Sequence, residues 1–185
     1  SQEQLIAHKD GFFSIFEQNM RESEKIETRV AALKATACFL QSMGDEQVLA
    51  AFKTLQKPML TIMVDSFKAG EEHGCQALEK FVELTQMQPQ FWKDPQPVAG
   101  KDAVLGAIVQ IVSDIVRVKD FEAGTRAQAT EVVLNLTEQM PAMMRKVGEM
   151  KTEFFPALVQ LVTECEPDME TWAISTEDEL GTGGD

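Results

Sequence analysis

The chain has 185 residues, with 17 Lys and Arg against 30 Asp and Glu, so its formal charge near pH 7 is −13. A protein that binds duplex nucleic acid needs a basic face that displaces counterions from the phosphates, so this charge argues against nucleic acid and favours basic proteins as partners. With 44% hydrophobic and 25% charged residues, the composition excludes a chain that is disordered throughout.

The most apolar stretch runs from Ala103 to Val118 and is interrupted by Gln110 and Asp114. It falls short of the roughly 20 apolar residues that a bilayer requires, so we expect no membrane insertion. The start, SQEQLIAHKDG, has no basic region followed by an apolar core and predicts no signal peptide. Because it also lacks an initiator Met, we expect the chain to be processed or part of a longer one.

The residues that most often carry chemistry are few and scattered. Cys38, Cys75 and Cys165 are far apart, which is typical of free thiols in a reducing compartment. We predict that Cys38 and Cys75, at similar places in two helices, are buried and unreactive. His8 and His73 belong to no zinc motif, and no phosphate-binding loop or nucleophile elbow occurs. The sequence therefore predicts no enzyme, no metal and no cofactor.

Helical periodicity dominates the chain. Val30, Leu33, Ala37 and Leu40 recur at spacings of three and four, which places them on one helix face. Gly and Pro fall between such segments, and no convincing run of alternating residues indicates a strand. The predicted class is all-α. The predicted helices lie near Leu5–Arg21, Glu24–Met43, Asp45–Ala69, Glu71–Met87, Lys101–Lys119, Phe121–Met140 and Thr152–Glu164.

These helices repeat in pairs. Ala32 aligns with Ala77 at an offset of 77 − 32 = 45, and Ala77 aligns with Ala129 at an offset of 129 − 77 = 52. Paired helices at about 40–47 residues, with insertions, are typical of HEAT and armadillo arrays. We predict a HEAT-repeat α-solenoid, a right-handed superhelix of about four antiparallel helix pairs, over residues 1–166. Residues 167–185 are predicted to be an acidic, flexible segment, and the unpaired last helix predicts further chain beyond it.

Two further patterns support the repeat. Pro89 and Pro141 are each followed by one residue and then by two large apolar ones. Pro58 and Pro156, at an offset of 156 − 58 = 98, each precede two apolar pairs. Because proline inside a helix removes a hydrogen bond and clashes with the preceding turn, we expect these last two prolines to kink their helices.

Two longer strings, TRAQATEVVLNLTEQMPAMMRK and FPALVQLVTECEPDMETWAISTEDEL, carry a family resemblance. In their order and spacing they resemble the importin-beta (karyopherin-beta) superfamily, in particular the branch of importin five and importin four. The resemblance covers roughly Leu49 to Leu180 and implies a section from the N-terminal half of a longer HEAT solenoid.

The resemblance implies a nuclear transport receptor that shuttles between cytoplasm and nucleus through the nuclear pore. Such receptors bind cargo on the inner face, FG-repeat nucleoporins mainly on the outer face, and Ran-GTP, which releases import cargo. The alternative that stays open is a HEAT-repeat scaffold subunit for assembly of a protein complex, without Ran dependence.

The acidic end of the chain is one candidate partner site. The resemblance places a Ran- or cargo-binding acidic loop there, although Ile174, Ser175 and Thr176 make this one less dense. A solvated loop without a partner is the alternative. The candidate residues for binding Ran-GTP or basic cargo are Asp168, Glu170, Trp172, Glu177, Asp178 and Glu179.

Two further surfaces come from the helix pattern. Glu79 and Glu83 are spaced to project together and receive a cargo lysine, and Glu131 with Asn135 is predicted to lie on the same inner face. The alternative is an ordinary solvated helix face. For FG repeats, the candidates in grooves between outer helices are Phe52, Met59, Met63 and Phe67, and the alternative is that they form the core.

Overall fold

A computed structural model describes residues 6–164, and the described residues form helices and no named strand. The all-α prediction is therefore confirmed. The helices in chain order are α1 (Lys9–Asn19), α2 (Ile26–Ser42), α3 (Glu46–Phe52), α4 (Gln56–Ala69), α5 (Glu71–Met87), α6 (Ala103–Arg117), α7 (Ala123–Gln139), α8 (Pro141–Met144) and α9 (Phe155–Glu164). Short 3₁₀ helices cover Lys53–Leu55 and Pro89–Trp92, and a π-helix covers Met150–Phe154.

The helices pack in two layers. Helices α2, α5 and α7 lie side by side and form what we call the inner layer. Helices α4, α6 and α9 pack along one another in the outer layer, and α1 packs against α2. Each outer helix except α9 packs against the inner helix that follows it in the chain, as the predicted HEAT-repeat solenoid requires.

Side-chain caps and apolar stripes explain why these segments are helical. The Asp45 carboxylate accepts the backbone N–H groups of Gln47 and Val48 at the start of α3, and Asp102 accepts that of Leu105 at the start of α6. The predicted stripe on α2 is buried, with Leu33 fully enclosed. Gly70 separates α4 from α5 with a φ of 148°, which favours glycine.

The repeat offsets read from the sequence are confirmed by the inner helices. From Ile26 to Glu71 the helix starts are 71 − 26 = 45 residues apart, and from Glu71 to Ala123 they are 123 − 71 = 52 apart. The residues that cap the two later helices agree as well, because Gln88 after α5 has φ −134° and ψ 56°, and Met140 after α7 has φ −134° and ψ 54°. Each cap leads into a short segment that begins with proline, which we call a proline corner: Pro89–Trp92 after α5 and Pro141–Met144 after α7. The last residue of each corner, Trp92 or Met144, is buried in the core.

The expectation that Pro58 and Pro156 lie inside kinked helices is wrong in detail. Both prolines lie in the first turn of an α-helix, α4 and α9, where a missing N–H costs nothing. The preceding turn changes its hydrogen-bonding pattern instead, to 3₁₀ over Lys53–Leu55 and to π over Met150–Phe154. Because a proline ring clashes with the carbonyl four residues earlier, a regular α-helix cannot run through these points.

The prediction of two buried cysteines is also wrong. Cys38 is exposed and Cys75 is half-buried, with its Sγ 3.3 Å from the Oγ1 of Thr125. Both residues lie at the border of the apolar stripe of their helix. A side chain at this border can be either buried or exposed without breaking the spacing of three and four that defines the stripe. Cys165 lies outside the described residues.

The core runs between the two layers along the whole described part of the chain. At one end the rings of Phe12, Phe16, Phe39 and Phe52 pack together, and the Phe39 and Phe52 centroids are 5.1 Å apart. Further along, Trp92 stacks on Phe81 from its proline corner. No helix within residues 6–164 is long and apolar enough to cross a membrane.

Candidate functional site

The junction between the first two repeats is closed by an ion pair. Arg29, the fourth residue of α2, reaches across to Asp65 on α4, with Nη2 3.0 Å from Oδ2. The Arg29 side chain is almost entirely buried, and Asp65 is about one-third exposed. The pair therefore ties an inner helix to the outer helix of the next repeat.

The last described junction repeats this arrangement. Arg126, the fourth residue of α7, lies 2.6 Å from a carboxylate oxygen of Glu164 on α9, and its Nε donates to the Val116 carbonyl at 2.7 Å. Hydrogen bonds from Gln160 and then from Arg126 lower the pKa of Glu164 to about 2. Lys119 is a further partner of the same carboxylate.

The middle junction is different. The fourth residue of α5 is Gly74, where the other two inner helices carry arginine. A Cβ at this position would overlap the ring of Phe67, so glycine is what lets that ring lie against α5. Phe67 in turn packs on Phe121, with centroids 5.1 Å apart. An aromatic contact thus takes the place of the ion pair.

Next to this contact lies an apolar groove between α4 and α6, which we call the outer groove. Its volume is about 250 Å³, and its exposed apolar surface includes Val118, which is 38% exposed. The outer groove is lined by Val64, Phe67, Lys68, Ile111, Asp114, Ile115, Val118 and Phe121. Its two charged lining residues are engaged locally, since Lys68 pairs with Asp65 and Asp114 pairs with Arg117. The remaining lining is apolar.

Of the four candidates for FG-repeat contact, Phe52, Met59 and Met63 are buried in the core, as the alternative interpretation of these residues expected. Only Phe67 lines the outer groove. The sequence reasoning missed Val118 and Phe121, because all of its candidates came from the predicted helix Asp45–Ala69, on one side of the groove, and both residues lie just beyond α6 on the other. It also missed Arg29 and Arg126, for which the repeated Thr-Arg dipeptide at the start of each helix was an available signal.

The inner-layer candidates Glu79 and Glu83 lie on α5 beside Lys80, which pairs with both. Glu83 also accepts a hydrogen bond from Gln41 of α2 at 3.0 Å. The bonds from Lys80 and Gln41 lower the pKa of Glu83, and the bond to Glu83 raises the pKa of Lys80. Glu83 therefore links two inner helices, while the Glu79 side chain stays about half exposed.

Asn135 and Glu131 lie one turn apart on α7. Asn135 donates to the Val82 carbonyl of α5 at 3.2 Å, so its amide joins two inner helices. Glu131 is exposed. Their role in cargo binding stays a prediction.

The predicted acidic site lies outside the described residues, including Asp168, Glu170, Trp172 and the acidic triplet Glu177, Asp178, Glu179. Within residues 6–164, no three His, Cys, Asp or Glu side chains come together in a way that could hold a metal ion.

Comparison with known families gave two matches. Residues 2–95 match the family described as IPO5-like, TPR repeats, and residues 118–181 match the family described as Importin repeat. Comparisons with curated proteins and with solved structures gave no match. The first family match covers just over half of the 185 residues, and the second begins at Val118, directly after α6, and covers α7, α8 and α9. The two-layer array of paired helices and these two matches agree, and the chain belongs to the importin-beta family of helical-repeat transport receptors.

Proposed function

We propose that this chain acts within a nuclear transport receptor and that its outer groove binds the phenylalanines of FG-repeat nucleoporins. The observation that carries the proposal is an open, apolar groove of about 250 Å³ in the outer layer, where Phe67 and Phe121 offer aromatic surface to a ligand. Two aromatic rings and aliphatic walls suit a phenylalanine side chain, which gains most of its binding free energy from burial.

A groove of this size that takes one phenylalanine side chain predicts weak binding at a single site. Burying one phenylalanine is worth about 1.5–3 kcal/mol, which alone corresponds to a dissociation constant in roughly the millimolar range or weaker. Repeated phenylalanines on one nucleoporin raise the overall affinity through effective concentration. Weak individual contacts also allow the rapid exchange that passage through a pore requires.

The experiment is a titration of the chain with a peptide of several Phe-Gly repeats, compared with a Ser-Gly peptide of equal length. Val118→Ser removes an exposed apolar wall of the outer groove and is expected to weaken Phe-Gly binding several-fold. Val98→Ser is the matched control, because Val98 is exposed in the loop before α6 and does not line the groove. Equal affinity of both variants for the Phe-Gly peptide would contradict the proposal.

We propose in addition that basic cargo binds the inner layer and that Ran-GTP competes for the receptor. Glu79 and Glu131 support the cargo assignment because both are exposed on inner helices. Glu83 and Asn135 would act by holding the inner helices at a fixed spacing. The acidic residues Asp168, Glu170, Glu177, Asp178 and Glu179 remain the proposed contact to Ran-GTP or to basic cargo, and Trp172 is proposed to anchor the segment that carries them.

Capture of the chain by Ran locked in its GTP form, and by Ran in its GDP form, tests this second part. Preference for the GTP form is expected, and neutralising the five acidic residues is expected to weaken capture most at low salt, where screening is least. Equal or absent capture by both forms would support the scaffold alternative. The proposed activity consists of binding and release between cytoplasm and nucleus, not of catalysis.

A further inference from the structure

The outward face of α9 carries a stripe of three large apolar side chains. Phe155 is 52% exposed, Val159 is 63% exposed and Val162 is 69% exposed. Their spacing of four and then three places them in one line along the helix. Leu158 and Leu161 lie on another side of α9 and pack against the core. The stripe is therefore additional to the surface that holds α9 in the array.

The repeat pattern does not require this stripe. With the two prolines aligned at their offset of 98, the same positions on α4 carry Lys57, Thr61 and Val64, of which only the last is apolar. An exposed line of apolar side chains on a helix indicates a contact surface. We therefore expect another segment of the protein to cover the stripe.

We propose that the stripe is covered by the chain's own C-terminal segment, with Trp172 packed against Val159 and its neighbours. Residues 165–185 follow α9 directly, and the Importin repeat match continues through them to residue 181. The apolar side chains nearest to Trp172 are Met169, Ala173 and Ile174, in an otherwise polar and acidic stretch. An indole is the largest apolar side chain the segment has to offer.

Chain length permits the contact. Trp172 follows Glu164 by 172 − 164 = 8 residues, which span up to about 26 Å when extended. Phe155 precedes Glu164 by 164 − 155 = 9 residues of helix, a length of about 14 Å. The segment can therefore turn back along α9 and place Trp172 anywhere on the stripe.

Charge favours the same path. No charged residue lies between Phe155 and Thr163, so the stripe does not repel an acidic segment. Lys151 is exposed one turn before Phe155, at the end of the stripe that a returning chain reaches last. It is also the last basic residue of the sequence, and Glu177, 177 − 172 = 5 residues after Trp172, is within reach of it along an extended chain.

Tryptophan fluorescence tests the contact, because the chain has only two tryptophans and Trp92 is fully buried in the core. Subtracting the emission of Trp172→Phe from that of the unaltered chain isolates Trp172 and leaves Trp92 in place. We expect the difference spectrum to be blue-shifted from that of N-acetyl-tryptophanamide, with several-fold weaker quenching by acrylamide.

The double variant Val159→Ser, Val162→Ser is expected to return both signals to those of the free indole. Leu134→Ser is the matched control, since Leu134 is an exposed apolar residue on α7 away from the stripe, and it should leave both signals unchanged. Lys151→Glu is expected to shift the difference spectrum of Trp172 part of the way towards that of the free indole. Helical circular dichroism verifies that each variant is folded.

Three results would overturn the proposal. One is free-indole emission of Trp172 in the unaltered chain, and another is a blue shift that survives the double serine variant. The third is a blue shift that disappears on dilution, because this would assign the stripe to a second copy of the chain.

Discussion

The two ion-paired junctions and the middle junction of this array all join neighbouring repeats, but they do so with different chemistry. At the fourth residue of the inner helix, Arg29 and Arg126 each reach an acidic side chain on the next outer helix. Gly74 occupies that place in the middle junction, and Phe67 lies over it. A charged side chain closes the junction in two cases, and an aromatic ring leaves an apolar groove in the third.

The difference shows how a repeat protein can vary its surface without changing its fold. The backbone of the three inner helices follows one pattern, because stacking helices must bury the same apolar stripe in each repeat. The residue at the fourth position differs between repeats: Arg29 and Arg126 form ion pairs, whereas Gly74 accommodates the ring of Phe67 beside the outer groove. Function can therefore differ from one junction to the next.

The largest expected effect comes from breaking an ion-paired junction. Arg126→Met leaves the Val116 carbonyl without its donor and removes the bonds to Glu164, so we expect the free energy of unfolding to fall by about 2–3 kcal/mol. Denaturant unfolding measures this. Arg126→Lys keeps the charge but cannot reach both partners with one fork, so it should recover only part of the loss. Full stability of the Met variant would contradict the assigned role.

The middle junction is expected to fail for a steric reason instead. Gly74→Ala places a Cβ within the ring of Phe67 and should cost about 1–3 kcal/mol as the ring is displaced. The double variant Gly74→Ala, Phe67→Ala is expected to lose much less than the sum of the single losses, because the clash is gone. Strictly additive unfolding free energies would show that the two residues do not share this contact.

A smaller effect is expected from the inner layer. Asn135→Ala removes the bond to the Val82 carbonyl and should cost about 1 kcal/mol in unfolding free energy. Thr130→Ala is a matched control on the same helix, because its hydroxyl bonds only within α7. Asn135→Ala should exceed this control if it joins two helices, and an equal loss would argue against that.

The last effect appears only in acid. The pKa of Glu164 is lowered from 4.5 to about 2, chiefly by Gln160 and Arg126, so its contribution to stability is complete above about pH 4.5. That contribution is lost as the pH falls from 4.5 through 2, because the carboxylate becomes protonated in the folded state. Thermal unfolding from pH 6 to pH 2 should therefore show a weaker acid dependence for Glu164→Gln. An unchanged profile would refute the assignment.

Sequence reasoning predicted the inner helices well because their apolar spacing and their offsets are local properties that tertiary packing only reinforces. It was wrong about where the prolines disturb the helices. The proline ring clashes with the turn before it, so the disturbance lies in that turn and not at the proline itself. Pro58 and Pro156 therefore open an α-helix where a kink within one was expected.

The outer groove could not be derived from sequence in the same way. It depends on the space that Gly74 leaves because glycine has no Cβ, and on Phe121, which lies in a loop. Helical periodicity predicts neither feature. Glu83 and Asn135 show the same limit, because their partners on neighbouring helices are 42 and 53 residues away in the chain.

The most direct test of the central claim is to map the binding of a Phe-Gly repeat peptide by the amide chemical shifts of the chain. The account predicts that the largest shifts cluster around Phe67, Val118 and Phe121 in the outer groove, while amides around the Arg29–Asp65 pair change little. Shifts of equal size at both junctions, or no shifts at the outer groove, would contradict it.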